Sequence, residues 1–417
     1  MATMPGRSRT WVRAQRRPKR ALFLSSPIGL GHARRDVAIA QELRQLHPDL
    51  QIDWLAQHPV TRVLADAGEA VHPASAWLAN ESAHIEDESA DHDLHAFQAI
   101  RRMDEILVNN FMVFNDVVDE TYYDLVIGDE AWDVDYFLHE NPELKRFAFA
   151  WMTDFVGWLP MPSGGDAEAA LTADYNAEML EQRARYRRLR DRSIFVGNPD
   201  DVIDASFGPG LPGIREWTTA NFDFAGYVTG FVPPDAEARE RVRAQLGIGE
   251  DDLLCVVTVG GSGVGDALLH RVMDAIPLAR RLHPGLRFLV VTGPRIDPAS
   301  LPRRRGATVR GFVRDLYLTL AACDVAVVQG GLTTCMELAA ARRPFLYVPL
   351  ENHFEQNLHV RHRLAQYGAG RCIRYAEASD PEVLAAAIVS ELAHRVDYRP
   401  VETDGAARAA ALLAELV

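Results

Sequence analysis

No stretch of the chain approaches the roughly 18 uninterrupted apolar residues of a membrane span, which excludes a helical membrane-spanning protein. Cysteine is scarce. Cys255, Cys323, Cys335 and Cys372 are far apart and form no CxxC pair, so neither a disulfide scaffold nor a zinc site has the spacing it needs. That usage makes the cytoplasm the expected compartment. Lysine is nearly missing: Lys19 and Lys145 are the only two, and arginine carries the rest of the positive charge. Positive charge is outweighed in any case. The net charge of −14 argues against general nucleic-acid binding. What remains is ordinary for a globular protein, 48% apolar and 24% charged, and 417 residues suffice for two or three domains with cores of their own.

Residues 1–20 differ from the rest. They hold seven basic residues and no acid, so the remainder carries −21. They lack the apolar core of a secretory signal. Two readings stand: a disordered tail or over-extended start, and a basic patch suited to anionic lipid or an acidic substrate.

Beyond the tail, strand-like apolar runs alternate with amphipathic helical stretches. Strands are expected at 21–26, 51–56, 124–128, 146–151, 193–196 and 222–227, then at 253–259, 286–292, 308–310, 324–328, 345–348 and 371–374. Helices are expected at 34–46, 95–118, 236–246, 356–367 and 404–417. Continuous apolar strands separated by helices predict parallel sheets covered on both faces, a doubly wound α/β architecture. The series breaks at Phe231-Val232-Pro233-Pro234-Asp235, where paired prolines stop regular structure. This divides the chain into a tail (1–20), a first Rossmann-like domain (21–231), a second (235–400) and a terminal helix (401–417) free to pack on either. The acidic, histidine-rich stretch 84–95 reads as a mobile solvated loop.

Several strand-to-helix turns carry chemistry-bearing residues. Gly29-Leu30-Gly31-His32 follows the first strand. Its glycines let a ligand approach the backbone at a helix N-terminus, and His32 can act as general base there or merely cap the helix. Gly260-Gly261-Ser262-Gly263 opens the second domain, with more glycine than one turn needs and no Walker lysine. Gly330-Gly331-Leu332-Thr333-Thr334 leads into Glu337. There Glu337 either binds a ribose diol or closes a capping box with Thr334. Glu355 and Gln356 lie in a loop dense in hydrogen-bonding groups and suit vicinal hydroxyls. Asp129 and Glu130 end a strand, where an acid can orient a histidine base or simply face solvent. The aromatics Phe147, Phe149, Trp151, Phe155 and Trp158 read as core or as an apolar acceptor wall.

Taken together, these turns resemble the GT-B glycosyltransferases, in particular inverting UDP-sugar-using families of MurG and natural-product type, over most of residues 20–395. The resemblance implies two Rossmann-like domains facing across a cleft and transfer of a hexosyl or N-acetylhexosaminyl group to an acceptor hydroxyl. It implies donor contacts from Gly261, Ser262, Gly263, Val313, Gly331, Leu332, Thr333, Thr334, Glu337, Glu355 and Gln356. The base would be His32, oriented by Asp129, with Gly31, Trp151 and Trp158 toward the acceptor. The nucleotide-sugar is a substrate, and neither a cofactor nor a metal is expected. The implied acceptor is a lipid-linked sugar or a secondary metabolite, which fits a cytoplasmic protein touching the inner face of the membrane. Three rivals remain: a UDP-sugar 2-epimerase of the same fold, a nicotinamide-dependent oxidoreductase, and a catalytically silent glycosyltransferase-like partner. The first needs several acid/base groups in the cleft. The second lacks its GxGxxG fingerprint. The third would not be expected to keep His32, Glu337, Glu355 and Gln356 together.

Overall fold

The computed structural model describes residues 17–249, 251–261 and 263–417. Residues 1–16 of the expected tail therefore lie outside the described residues. Of its remainder, Arg17 makes paired hydrogen bonds of 2.9 and 2.7 Å to Asp124, and Arg20 begins the first strand.

Seven strands form the first sheet: β1 (Arg20–Leu24), β2 (Gln51–Leu55), β3 (Ala70–Val71), β4 (Leu125–Asp129), β5 (Ala148–Thr153), β6 (Arg192–Phe195) and β7 (Asp223–Phe224). Their order is β3-β2-β1-β4-β5-β6-β7, all parallel. Helix α1 (Leu30–Leu46) follows β1, α2 (Glu81–Asp87) lies beyond β3, and α3 (Trp132–Glu140) follows β4. The second sheet has β8 (Leu253–Thr258), β9 (Leu286–Val291), β10 (Ala307–Arg310), β11 (Val325–Val328), β12 (Phe345–Tyr347) and β13 (Arg371–Cys372) in the order β10-β9-β8-β11-β12-β13, again all parallel. Helix α4 (Leu332–Ala340) follows β11. The last helix, α5 (Gly405–Ala414), crosses back and packs on α1 of the first domain.

Strands buried on both faces need apolar side chains at every position. The run Leu-Val-Ile of β4 and the whole of Val-Ala-Val-Val in β11 are buried accordingly. In each sheet the strand order reverses between two neighbours, β1 and β4 in the first and β8 and β11 in the second. Open α/β sheets leave a crevice at the carboxyl ends of such a pair.

Two expectations are corrected. The helical stretch 95–118 is two helices, Ala96–Arg101 and Asp104–Glu120. Asp104 and Glu105 place negative charge in the first turn of the second, a start signal that the apolar pattern hides. The stretch 84–95 is not a solvated loop. It continues from α2 and straps onto the second domain: Leu94 donates its N–H to Glu351 O at 3.0 Å, and Glu351 donates back to His92 O at 2.9 Å. Asn352 donates to both carboxylate oxygens of Asp93, Arg295 donates to Glu86 at 2.5 Å, and His92 stacks on Tyr375.

Candidate active site

The two switch points face one another across a cavity of about 230 Å³. On the first-domain side, the chain leaves β1 through a turn in which Gly29 holds φ 107°, a value that disfavours any side chain. Gly31 then lies so close to Thr333 that a Cβ there would collide with the threonine side chain. The N-termini of α1 and α4 thus meet across the domain boundary, and both turn their free amides and positive dipole ends toward the cavity.

His32 stands in the first turn of α1. Its Nδ1 lies 2.9 Å from Asp129 Oδ2, which fixes the ring and leaves Nε2 toward the cavity. Asp129 is fully buried. It also receives Arg35 Nε at 3.0 Å and Nη2 at 2.5 Å, while Arg35 Nη1 bonds Asp154. Burial alone would raise the Asp129 pKa, but the Arg35 and His32 charges hold it well below the usual carboxylate range. Burial and Arg35 push the His32 imidazole down; Asp129 and Glu130 outweigh them and carry it up to about 9. Glu130 Oε2 is 3.9 Å from His32 Nε2. Burial raises Glu130 to about 7, and burial beside Asp154 and Glu130 raises Glu355 to about 8.

On the second-domain side, Gly261, Val313, Gly331, Leu332, Thr333, Thr334, Glu337, Glu355 and Gln356 all line the same cavity, as do Gly31 and His32. The N-cap of α4 is Gly331, and no side chain caps it. Glu337 is therefore the sixth residue of the helix, two turns in, and the capping-box alternative for it fails. It is 4% exposed, burial raises it to about 7, and its one charged neighbour among the described residues is Arg34 Nη1 at 3.7 Å. Gln356 uses its side-chain oxygen on Leu350 N–H at 2.9 Å, which leaves its NH₂ group for the cavity.

Three anticipated residues, Gly263, Trp151 and Trp158, do not line the cavity. Ser262 lies outside the described residues. Gly263 faces Glu86 of the strap rather than the main cavity. Trp151 is 1% exposed, sandwiched between Trp132 and Arg190 in the first-domain core, because its β5 position points into the sheet's packed face. The aromatic wall of the cavity is instead Trp132 and Phe155, with Phe354 from the second domain, and Trp158 backs them. Sequence reasoning missed Arg35, Asp154 and Trp132. Arg35 sits one helical turn after His32, and Asp154 follows β5 as Asp129 ends β4, so spacing held a signal for both. His32, Glu130 and Asp154 bring ligand atoms within 4.8 Å of one another, a metal-like spacing. Of the three, Asp154 already pairs with Arg35, and His32 gives Nδ1 to Asp129 while its Nε2 stays toward the cavity.

Residues 254–416 match the glycosyltransferase family 28 C-terminal domain. Two relatives match mainly in part. One is a UDP-N-acetylglucosamine–N-acetylmuramyl-(pentapeptide) pyrophosphoryl-undecaprenol N-acetylglucosamine transferase of Carboxydothermus hydrogenoformans, 30% identical over 161 residues (36% of this chain, 42% of that protein). The other is an uncharacterized glycosyltransferase of Methanopyrus kandleri, 29% identical over 183 residues (44% and 51%). The chain thus spans about half the length of the curated relatives it matches. Solved structures extend the likeness in fold to the whole chain. The spinosyn rhamnosyltransferase SpnG has a TM-score of 0.58 at 17% identity, covering 95% of both chains. Acinetobacter baumannii MurG has 0.51 at 14%, covering 95% of this chain and all of that one. The class is therefore that of two-domain, Rossmann-like GT-B proteins. Within it this chain is similar in fold to MurG-type and natural-product glycosyltransferases, and residues 254–416 match the family 28 C-terminal domain. Among the described residues, no helix is long and apolar enough to cross a membrane.

Proposed function

We propose that this protein is an inverting glycosyltransferase that moves a sugar from a nucleotide diphosphate donor to an acceptor hydroxyl. The observation that carries this reading is the meeting, in one cavity, of a carboxylate-backed histidine from the first domain with the glycine turn, helix N-terminus and buried Glu337 of the second. In this reading Glu337 takes the ribose diol. Amides at the start of α4, with its dipole, take the diphosphate as it departs and so stabilise the charge that develops there. No metal ion is needed for that step. Glu355, protonated below about pH 8, donates to a donor-sugar hydroxyl, and the Gln356 NH₂ group donates to a second. Once neutral, His32 accepts the acceptor proton at Nε2 while the oxygen attacks the anomeric carbon in line; Asp129 stabilises the imidazolium that forms. Rotation about the linker near residue 232 would open and close the cleft and exclude water.

Two names among the similar proteins bear on the donor. The relative of Carboxydothermus hydrogenoformans is named for a UDP-sugar, and SpnG has been solved with thymidine diphosphate. Calorimetric titration with UDP, TDP, GDP and NAD, with and without chelator, tests the reading. Micromolar, chelator-insensitive binding of one nucleoside diphosphate is expected. Binding of NAD alone would overturn it. A second reading, 2-epimerisation of a UDP-sugar, draws support from the acids Glu130, Asp154 and Glu355 around His32. Deuterium from heavy water entering the sugar ring without any acceptor would favour it over transfer.

A further inference from the structure

A second, smaller pocket of about 40 Å³ opens at the carboxyl ends of β1, β2 and β4, behind the histidine–aspartate pair. Glu130 lines both this pocket and the main cavity, so the two are neighbours across one side chain. Four carboxylates line the small pocket: Glu81, Asp129, Glu130 and Asp133. No lysine, arginine or histidine is among the described residues lining it. Asp129 and Glu130 look away to Arg35 and His32. Among the described residues, Glu81 and Asp133 have no such cation.

Glu81 is held like a built binding group. It is 8% exposed, and its Oε1 accepts from Gln57 Nε2 at 2.7 Å and from Asn110 Nδ2 at 3.0 Å. Gln57 Oε1 in turn accepts from Glu81 N–H, and Asn110 Oδ1 from Ala79 N–H. Both amides are thereby fixed, while Oε2 has no hydrogen-bond donor among the described residues. Ser26, 3% exposed and also lining the pocket, has a hydroxyl with no hydrogen-bond partner among the described residues. Glu81 is buried and Asp133 partly so, and holding two such carboxylates without a counter-charge is costly unless something positive is due to arrive. The strain is visible in both: burial and Asp133 raise Glu81 to about 7, and burial raises Asp133 to about 6.

We infer that this pocket is an acceptor subsite for a primary ammonium group, received by Glu81 Oε2, Asp133 and the Ser26 hydroxyl. The inference rests on the transfer reading above and names the acceptor's chemistry: an amino alcohol or amino sugar. Its hydroxyl reaches His32 on one side of Glu130 while its amine enters the pocket on the other. The volume suits an ammonium head and little more.

The test uses the full chain, with ethylammonium chloride as the probe. Melting midpoints are followed at neutral pH against potassium chloride at matched ionic strength and against ethanol, the uncharged isostere. UDP and TDP titrations are run on the same preparation. The expected result is a saturable rise of about 2 °C with ethylammonium alone, abolished by Asp133→Asn. Asp133→Asn should also melt higher than the parent without any probe, because the repulsion Asp133 exerts on buried Glu81 is relieved. Glu81→Gln should lose the response as well; should it fail to fold, because Glu81 organises Gln57 and Asn110, Asp133→Asn carries the test. An equal response to potassium makes the pocket an alkali-cation site and overturns the inference. So does the absence of any saturable response. Nucleotide binding decides separately whether the transfer reading stands.

Discussion

The two walls of the cleft are built from different materials. The second-domain wall leans on backbone, with a glycine turn after β8, another after β11 and the amides that open α4; Glu337, Glu355, Gln356 and Phe354 are among the side chains that join them. The first-domain wall is a side-chain network of His32, Arg35, Asp129, Glu130 and Asp154, knitted by ion pairs that link α1 to the ends of β4 and β5. A backbone wall tolerates sequence change as long as its glycines persist. A network of buried charges does not, because removing one member leaves another unpaired.

Substitutions can break or sharpen this contrast. The largest effect is expected at the base. His32→Ala should lower turnover by about 10²–10⁴-fold with nucleotide affinity unchanged, and near-normal turnover would remove His32 from that role. Because the His32 proton is held until about pH 9 and only the neutral ring is a base, kcat/KM in the parent should climb about tenfold per pH unit to about pH 8, level there as Glu355 loses the proton it donates, and fall above about pH 9. A flat profile would mean that some other group takes the proton. Arg35→Leu comes next. It strands Asp129 and Asp154 in the interior and should cost about 3–5 kcal/mol of stability, read from denaturant unfolding. A loss under 1 kcal/mol would show that the network is not load-sharing. On the opposite wall Glu337→Ala should weaken nucleotide binding by about 1–3 kcal/mol and leave the fold alone, since among the described residues its one charged contact is a 3.7 Å approach to Arg34. The smallest effect is expected at the strap. Asp93→Ala removes two hydrogen bonds from Asn352 and should lower the melting midpoint by about 1–3 °C.

The same contrast explains what could be read from the amino-acid order. Gly260, Gly331 and His32 were legible because a ligand gripped by backbone demands glycine at the end of an apolar strand, a local pattern. Both sheets were legible too, from strands apolar throughout. Arg35 and Asp154 left only a faint signal in their spacing, because their roles depend on partners 94 and 119 residues away. Trp151 was misplaced for a related reason: it lies within β5, where both faces are packed, and the cleft takes residues beyond the strand's carboxyl end, such as Asp154. The strap misled most. Its charge reads as solvation, yet its polar groups are spent on the loop around Glu351 and Asn352, more than 250 residues on.

The chain passes between domains twice. After the first passage, Tyr398 packs against Phe345 in the second domain and Arg399 bonds Tyr367, before the chain returns to the first domain as α5. At Gly405 it lies against the backbone of Tyr227, where the outward passage begins, so tightly that a Cβ would overlap it. Outgoing and returning segments therefore run side by side like the two leaves of one hinge pin. Two connections side by side leave a joint less free to twist or shear than one would, and so favour a closure that brings His32 back to the start of α4 in the same register.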